Sequence, residues 1–135
     1  LIDESFRKYA NTDEEVEELI NCYRNINEKI MPEYIKAFDG IENVLKELKK
    51  SGFKIAIVSN KVTDAVVQGL KICNINQYFD LIIGAEKMER AKPAPDGITQ
   101  ALKLLNNPEN AGNNDATNNN IIVIIAANAN IIKNL

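Results

Sequence analysis

The sequence predicts an α/β fold: a doubly wound, Rossmann-like parallel sheet core with part of a helical cap. Two observations carry this. Phe53 to Val58, "FKIAIV", is a short β-rich and nearly uninterrupted apolar run, the mark of a strand buried on both faces. Around it, helical and strand patterns alternate in the order helix, strand, helix, strand, helix, with Ile121 to Ile125, "IIVII", as a candidate third strand.

The elements follow in chain order. Thr12 and Glu15 make a capping box, and Val16, Leu19, Ile20, Tyr23, Ile26 and Ile30 recur at helical spacing. A helix is expected from about Asp13 to Ile30, ended by Pro32. Its acids Asp13, Glu14, Glu15, Glu17 and Glu18 are read as dipole-complementing and solvent-facing residues rather than a metal site. Residues 1–38 are expected to be helices packed outside the sheet, and residues 39–135 to form the core. A second capping box, Asp39 with Glu42, opens a helix carrying Ile41, Val44, Leu45 and Leu48, with Gly52 just past its end. After the first strand, Val62, Val66, Leu70 and Cys73 form a helical stripe. Leu81 to Ile83 form a second strand ending at Gly84, and Ile98, Ala101, Leu102 and Leu105 mark a further helix.

Composition narrows the function. The chain has 135 residues, 45% of them hydrophobic, which suits one core. A formal charge of -3 leaves no basic face, so neither nucleic acid nor an anionic membrane is expected as a partner. There is no histidine, which removes His-based triads and the usual Cys/His zinc spacings. Cys22 and Cys73 are read as buried thiols of a cytoplasmic protein. No apolar run reaches the length of a membrane span, and no signal-peptide pattern opens the chain. Nothing in the pattern sets an oligomeric state.

In a parallel α/β sheet, ligands sit beyond the carboxyl ends of the strands. Ser59 and Asn60 fall at that edge. A hydroxyl, an amide and nearby backbone N–H groups suit phosphate oxygens. Alone, the pair reads equally as a strand stop and helix cap. Lys92 shifts the balance. It precedes Pro93 and Pro95, which stiffen its loop, and that loop opens on the same edge if the two strands are parallel neighbours. Ser59, Asn60 and Lys92 are therefore the candidate phosphate-binding residues.

The segments "GIENVLKELKKSGFKIAIVSNK" (40–61), "YFDLIIGAE" (78–86) and "AKPAPDGITQALKLL" (91–105) resemble the haloacid dehalogenase-like (HAD) hydrolases, especially their phosphoglycolate phosphatase-like branch. The resemblance implies a magnesium-dependent phosphatase of a small phosphate monoester, working through an aspartyl-phosphate. It also implies that Ser59 hydrogen-bonds the transferring phosphoryl group, with Asn60 beside it, and that Lys92 neutralises nucleophile and phosphate, which makes Ser59 and Lys92 the candidate catalytic residues. Helices before residue 38 resemble the later part of a substrate-selecting cap. The family's Asp-x-Asp nucleophile segment is expected upstream of Leu1, since no Asp-x-Asp occurs in the chain.

The metal-binding acids of the family have two possible places here. One sets Gly112, Asn113 and Asp115 against the metal loop. The other, preferred because a strand must precede that loop, takes Ile121 to Ile125 as the strand and leaves Ala126, Ala127 and Asn130 near it. That choice names no metal ligand. The tail 106–135 is also distinct in composition, with 11 Asn among its residues and only Glu109, Asp115 and Lys133 charged.

Other functional classes share parts of this pattern. A catalytically inactive anion-binding module would keep Ser59, Asn60 and Lys92 without a nucleophile. A receiver-type phosphoacceptor would place its Lys directly after the strand, whereas Lys92 comes eight residues after Gly84. Dinucleotide and P-loop readings lack their glycine motifs.

Overall fold

The computed structural model describes residues 2–106, 121–126 and 132–133. The chain divides into two compact units, Leu1–Tyr34 and Ile35–Leu135.

The first unit is helical: α1 (Ile2–Phe6) and α2 (Asp13–Tyr34). The expected capping interactions form at the start of α2. The Glu15 N–H donates to Thr12 Oγ1 (3.2 Å), and the Glu15 carboxylate reaches back to the N–H of Asn11 (2.7 Å) rather than that of Thr12. Arg7 adds a bond to Asp13 (2.7 Å). Pro32 does not end the helix, which continues to Tyr34. A proline deletes one N–H donor and crowds the preceding turn. Placed in the last turn, it leaves the two residues after it in helical geometry. Val16 and Met31 are the buried residues of α2, whereas Tyr23, Ile26 and Ile30 of the expected stripe are exposed. Phe6 meets Tyr23 edge-on, with ring centroids 6.0 Å apart.

The second unit opens with a two-residue strand, β1 (Lys36–Ala37), inside the stretch assigned from sequence to the cap. It pairs antiparallel with β5 (Ile132–Lys133) in a small separate sheet. The core follows: α3 (Ile41–Lys50), β2 (Lys54–Ser59), α4 (Thr63–Ile72), β3 (Leu81–Ile83), α5 (Asp96–Asn106) and β4 (Ile121–Ala126). The sheet order is β3-β2-β4, and both pairings are parallel. The strands expected at 53–58, 81–83 and 121–125 are thus found within a residue of their predicted limits.

The capping box expected at Asp39 and Glu42 is absent. Gly40 is the N-cap, with φ 81°, and no side chain caps the helix. This start places Glu42 at the second helical position, where its carboxylate pairs with Lys46 (2.9 Å) and accepts from the Tyr78 hydroxyl (2.9 Å). At the other end, Gly52 adopts φ 81° and donates its N–H to the Lys49 carbonyl (3.0 Å), as a left-handed glycine past a helix does.

Strand β2 is buried from Ile55 to Ser59. Ala56 and Val58 pack in a cluster with Ile83, Met88, Ala101 and Leu105. Asp80 ties the start of β3 to β2: its carboxylate accepts from the Ile55 N–H (2.7 Å) and from Lys49 Nζ (2.7 Å), and its own N–H donates to the Ile55 carbonyl (2.8 Å). Lys54 Nζ donates to the Leu105 carbonyl (2.8 Å) at the end of α5. Cys22 is exposed and Cys73 only half-buried, so the expectation of two buried thiols is not met. Burial still pushes the Cys73 thiol up, against a smaller opposing bond with the Ala37 backbone.

Gly97 permits the closest packing of α5. A Cβ there would lie 2.5 Å from both Met88 Sδ and Val58 Cγ1. Gly→Ala in a helix interior ordinarily gains about 1 kcal/mol. Here Met88 can swing aside but Val58, wholly buried in β2, cannot. Gly97→Ala is expected to destabilise the chain by about 1–3 kcal/mol, read as a lower urea midpoint; a raised midpoint would show that α5 packs more loosely than described.

Candidate anion site at the carboxyl edge of the sheet

Because β2 and β3 are parallel, the loops that leave them open on one edge. The register pairs Val58 with Ile83 on one side and Ser59 with Ala126 on the other. Ser59 therefore ends the central strand with neighbours on both sides. The residue is 3% exposed, and its hydroxyl oxygen accepts the Lys61 N–H (3.1 Å), a local turn that leaves the hydroxyl proton uncommitted to that bond. Neither Ser59 nor Asn60 caps α4, so the alternative reading of the pair as a helix cap does not hold.

Asn60 and Lys92 meet directly. The Lys92 N–H donates to Asn60 Oδ1 (3.0 Å), and Asn60 Nδ2 donates to the Lys92 carbonyl (3.3 Å). The Lys92 side chain runs back to the strand end, where Nζ donates to the carbonyl of Val58 (3.4 Å), the residue before Ser59. The 90–96 loop is closed at its base by a fork: Arg90 Nε and a terminal guanidinium nitrogen donate to the two oxygens of Asp96 (2.9 and 2.8 Å). Partial burial lowers the Lys92 amine below the ordinary lysine range, and desolvation acts in the same direction on Lys61 although that residue is exposed overall. Both groups therefore gain from a nearby negative charge.

The start of α4 is capped from across the edge. Both carboxylate oxygens of Glu86 accept the Thr63 N–H (3.1 Å each), and the Thr63 hydroxyl accepts the Gly84 N–H (3.2 Å). Gly84 has to be small: a Cβ would collide with the Thr63 backbone nitrogen and come within 2.7 Å of the Thr63 hydroxyl and the Glu86 carboxylate. Sequence reasoning did not single out Thr63 and Glu86. They are 23 residues apart, and no local pattern joins them.

The described residues do not fit a magnesium site. Among them no group of three or more His, Cys, Asp or Glu could hold a metal ion. Near the edge, Glu86 is turned to α4 and Asp96 to Arg90. Gly112, Asn113, Asp115, Ala127 and Asn130, the positions weighed for the metal loop, lie outside the described residues.

The Glu86 cap has a pH signature. Its bond with Thr63 holds the carboxyl below the ordinary glutamate range. A depressed folded value means that the stabilisation is complete above the unfolded pKa and lost as pH falls through the folded one. Glu86→Ala is expected to lower the urea midpoint at pH 7 and to converge with the parent chain in acid. A difference that persists below the folded pKa would assign the effect to packing instead.

Comparison with known proteins adds four matches. The chain matches the family described as haloacid dehalogenase-like hydrolase over residues 2–113. It is 38% identical over 90 residues to the pyrophosphatase PpaX of Bacillus mycoides, covering 67% of this chain and 42% of that protein. To PpaX of Bacillus thuringiensis strain Al Hakam it is 35% identical over 105 residues, covering 76% and 49%. Its fold matches a Thermotoga maritima crystal structure assigned as a beta-phosphoglucomutase, with a TM-score of 0.63, 18% identity, and coverage of 84% and 47%. The chain spans less than half the length of these proteins. With the family matched over most of its residues and the parallel sheet in place, the chain belongs to the haloacid dehalogenase-like hydrolases.

Proposed function

We propose that the protein is a phosphatase of the HAD type acting on a small phosphorylated substrate, a phosphate monoester or pyrophosphate, and that Ser59 and Lys92 bind the phosphoryl group. The observation that carries this reading is the Lys92 amine, brought to the carbonyl of Val58 by a loop pinned to Asn60. There, beside a buried serine whose proton is not used in its turn, a cation and a hydroxyl donor converge on one strand end. Phosphoryl transfer depends chiefly on positioning and charge stabilisation, which is what such a pair supplies. The PpaX relatives favour pyrophosphate among the candidates. A cap role for residues 1–34 and a cytoplasmic location belong to the same proposal.

Ser59 does not serve as the nucleophile in this reading. An unassisted serine hydroxyl is hardly ionised at neutral pH, and no base accompanies it among the described residues. The nucleophile in this reading is an aspartate of an Asp-x-Asp segment, a pattern that does not occur within these 135 residues. Magnesium dependence is proposed from the family, with no described residue assigned as its ligand. A catalytically inactive anion-binding module is the second reading, resting on the same meeting of Ser59 and Lys92 at the strand end, which by itself binds an anion without needing a nucleophile.

The test is release of inorganic phosphate from pyrophosphate and a panel of small esters, with and without magnesium. The 135-residue chain is expected to show no turnover, and a chain extended by an Asp-x-Asp strand and an acidic metal loop to show magnesium-dependent turnover. In the active chain, Lys92→Ala is expected to cost about 3 kcal/mol of transition-state stabilisation. An inactive extended chain that still binds phosphate would establish the binding-module reading. Turnover by the 135-residue chain that is lost in Ser59→Ala would overturn the mechanism.

A further inference from the structure

We propose that Asn60 is the positioning residue for Lys92: its side-chain amide, by gripping both polar groups of the Lys92 main chain, fixes where the amine stands at the end of β2. The inference rests on the anion-site reading above. It changes the role of Asn60 from a phosphate ligand to the holder of the group that meets the phosphate.

A lysine amine sits on a long flexible stem, so its position is only as well defined as the two ends of that stem. Here both ends are held by one short stretch of chain. Asn60 binds the root, through Oδ1 to the Lys92 N–H and Nδ2 to the Lys92 carbonyl, and Val58 binds the tip through its carbonyl. The result is a closed ring of contacts running from Val58 through Ser59 to Asn60, across to the Lys92 backbone, and down its side chain to Val58 again. Ser59, the other anion-binding residue, lies inside that ring. Root and tip of Lys92 are thus both referenced to the strand end that carries Ser59.

The residue type matches the task. A primary amide offers one acceptor and a donor in fixed geometry, the two groups needed to pair with a backbone N–H and C=O. A carboxylate has no donor for the Lys92 carbonyl. Serine has one oxygen in place of two separated polar atoms, and glutamine sets the same amide one methylene too far. Holding is also needed, because partial burial disfavours the charged amine. Freed at its root, the side chain would turn toward water.

The experiment is calorimetric titration of inorganic phosphate into the full 135-residue chain and its Ser59→Ala, Asn60→Ala, Lys92→Ala and Asn60→Ala/Lys92→Ala variants. Asn60→Ala is expected to weaken phosphate binding about tenfold, the size of freeing one rotamer-rich side chain. The double variant should bind no more weakly than Lys92→Ala alone, because Asn60 acts through Lys92. In parallel, the Lys92 amine, followed by NMR across pH, should move up toward the ordinary lysine value in Asn60→Ala. Asn60→Gln, neutral and close in size, is expected to show the same two changes and keeps the question open to disproof if Asn60→Ala does not fold. Additive losses would make Asn60 a direct ligand and overturn the inference, as would Asn60 variants that leave both readouts unchanged while Lys92→Ala weakens binding. Phosphate binding indifferent to Ser59→Ala and Lys92→Ala would instead remove the anion site itself, and the inference with it.

Discussion

The burial of β2 is the constraint from which the rest of the core follows. A strand with every residue from Ile55 to Ser59 out of water must have its backbone paired on both edges and its side chains covered on both faces. The parallel neighbours β3 and β4 satisfy the first demand, and Asp80 extends the pairing beyond the three-residue ladder to β3 by accepting the Ile55 N–H. The second demand sets the small residues. Gly97 lets α5 sit against Val58, where any Cβ would strike the strand. Because the strand is fixed along its length, its last residue is fixed as well, and Ser59 enters the site as part of a rigid element.

Chemistry at the edge is assembled by contacts that cross from one loop to another. Lys92 arrives by way of Asn60, and α4 is capped by Glu86 from the loop after β3. Gly84 makes room for that second crossing. Two of the acids here have partners of their own, Glu86 in a helix cap and Asp96 in the fork with Arg90, while the amine of Lys92 is partly desolvated. An anion is the ligand proposed for such an arrangement.

Much of this was legible in the residues. The unbroken apolar run before Ser59 marked a buried strand, and the parallel order put Ser59 and the Lys-Pro loop on one edge. The contacts that shape the site were not legible, for a common reason: Asn60 finds its partners 32 residues away and Thr63 finds Glu86 23 residues away. Local rules erred where a second local choice competed. Asp39 and Glu42 have capping-box spacing, but Gly40 between them takes the left-handed conformation and becomes the cap itself. Pro32 has the breaker's chemistry, but so close to the helix end that little remained to break. The apolar stripe of α2 has helical period, yet period alone does not bury Tyr23, Ile26 and Ile30.

The central claim is that one phosphate-like anion is held by the end of β2 and the Lys92 loop together. A crystal structure of the chain grown with tungstate tests it most directly, since the anion's anomalous signal marks its position without reference to activity. The account predicts a peak with oxygens at hydrogen-bond distance, about 2.7–3.2 Å, from both Ser59 Oγ and Lys92 Nζ, with Nζ drawn off the Val58 carbonyl. A tungstate bound elsewhere, with Nζ still on Val58 and nothing at Ser59, would contradict it.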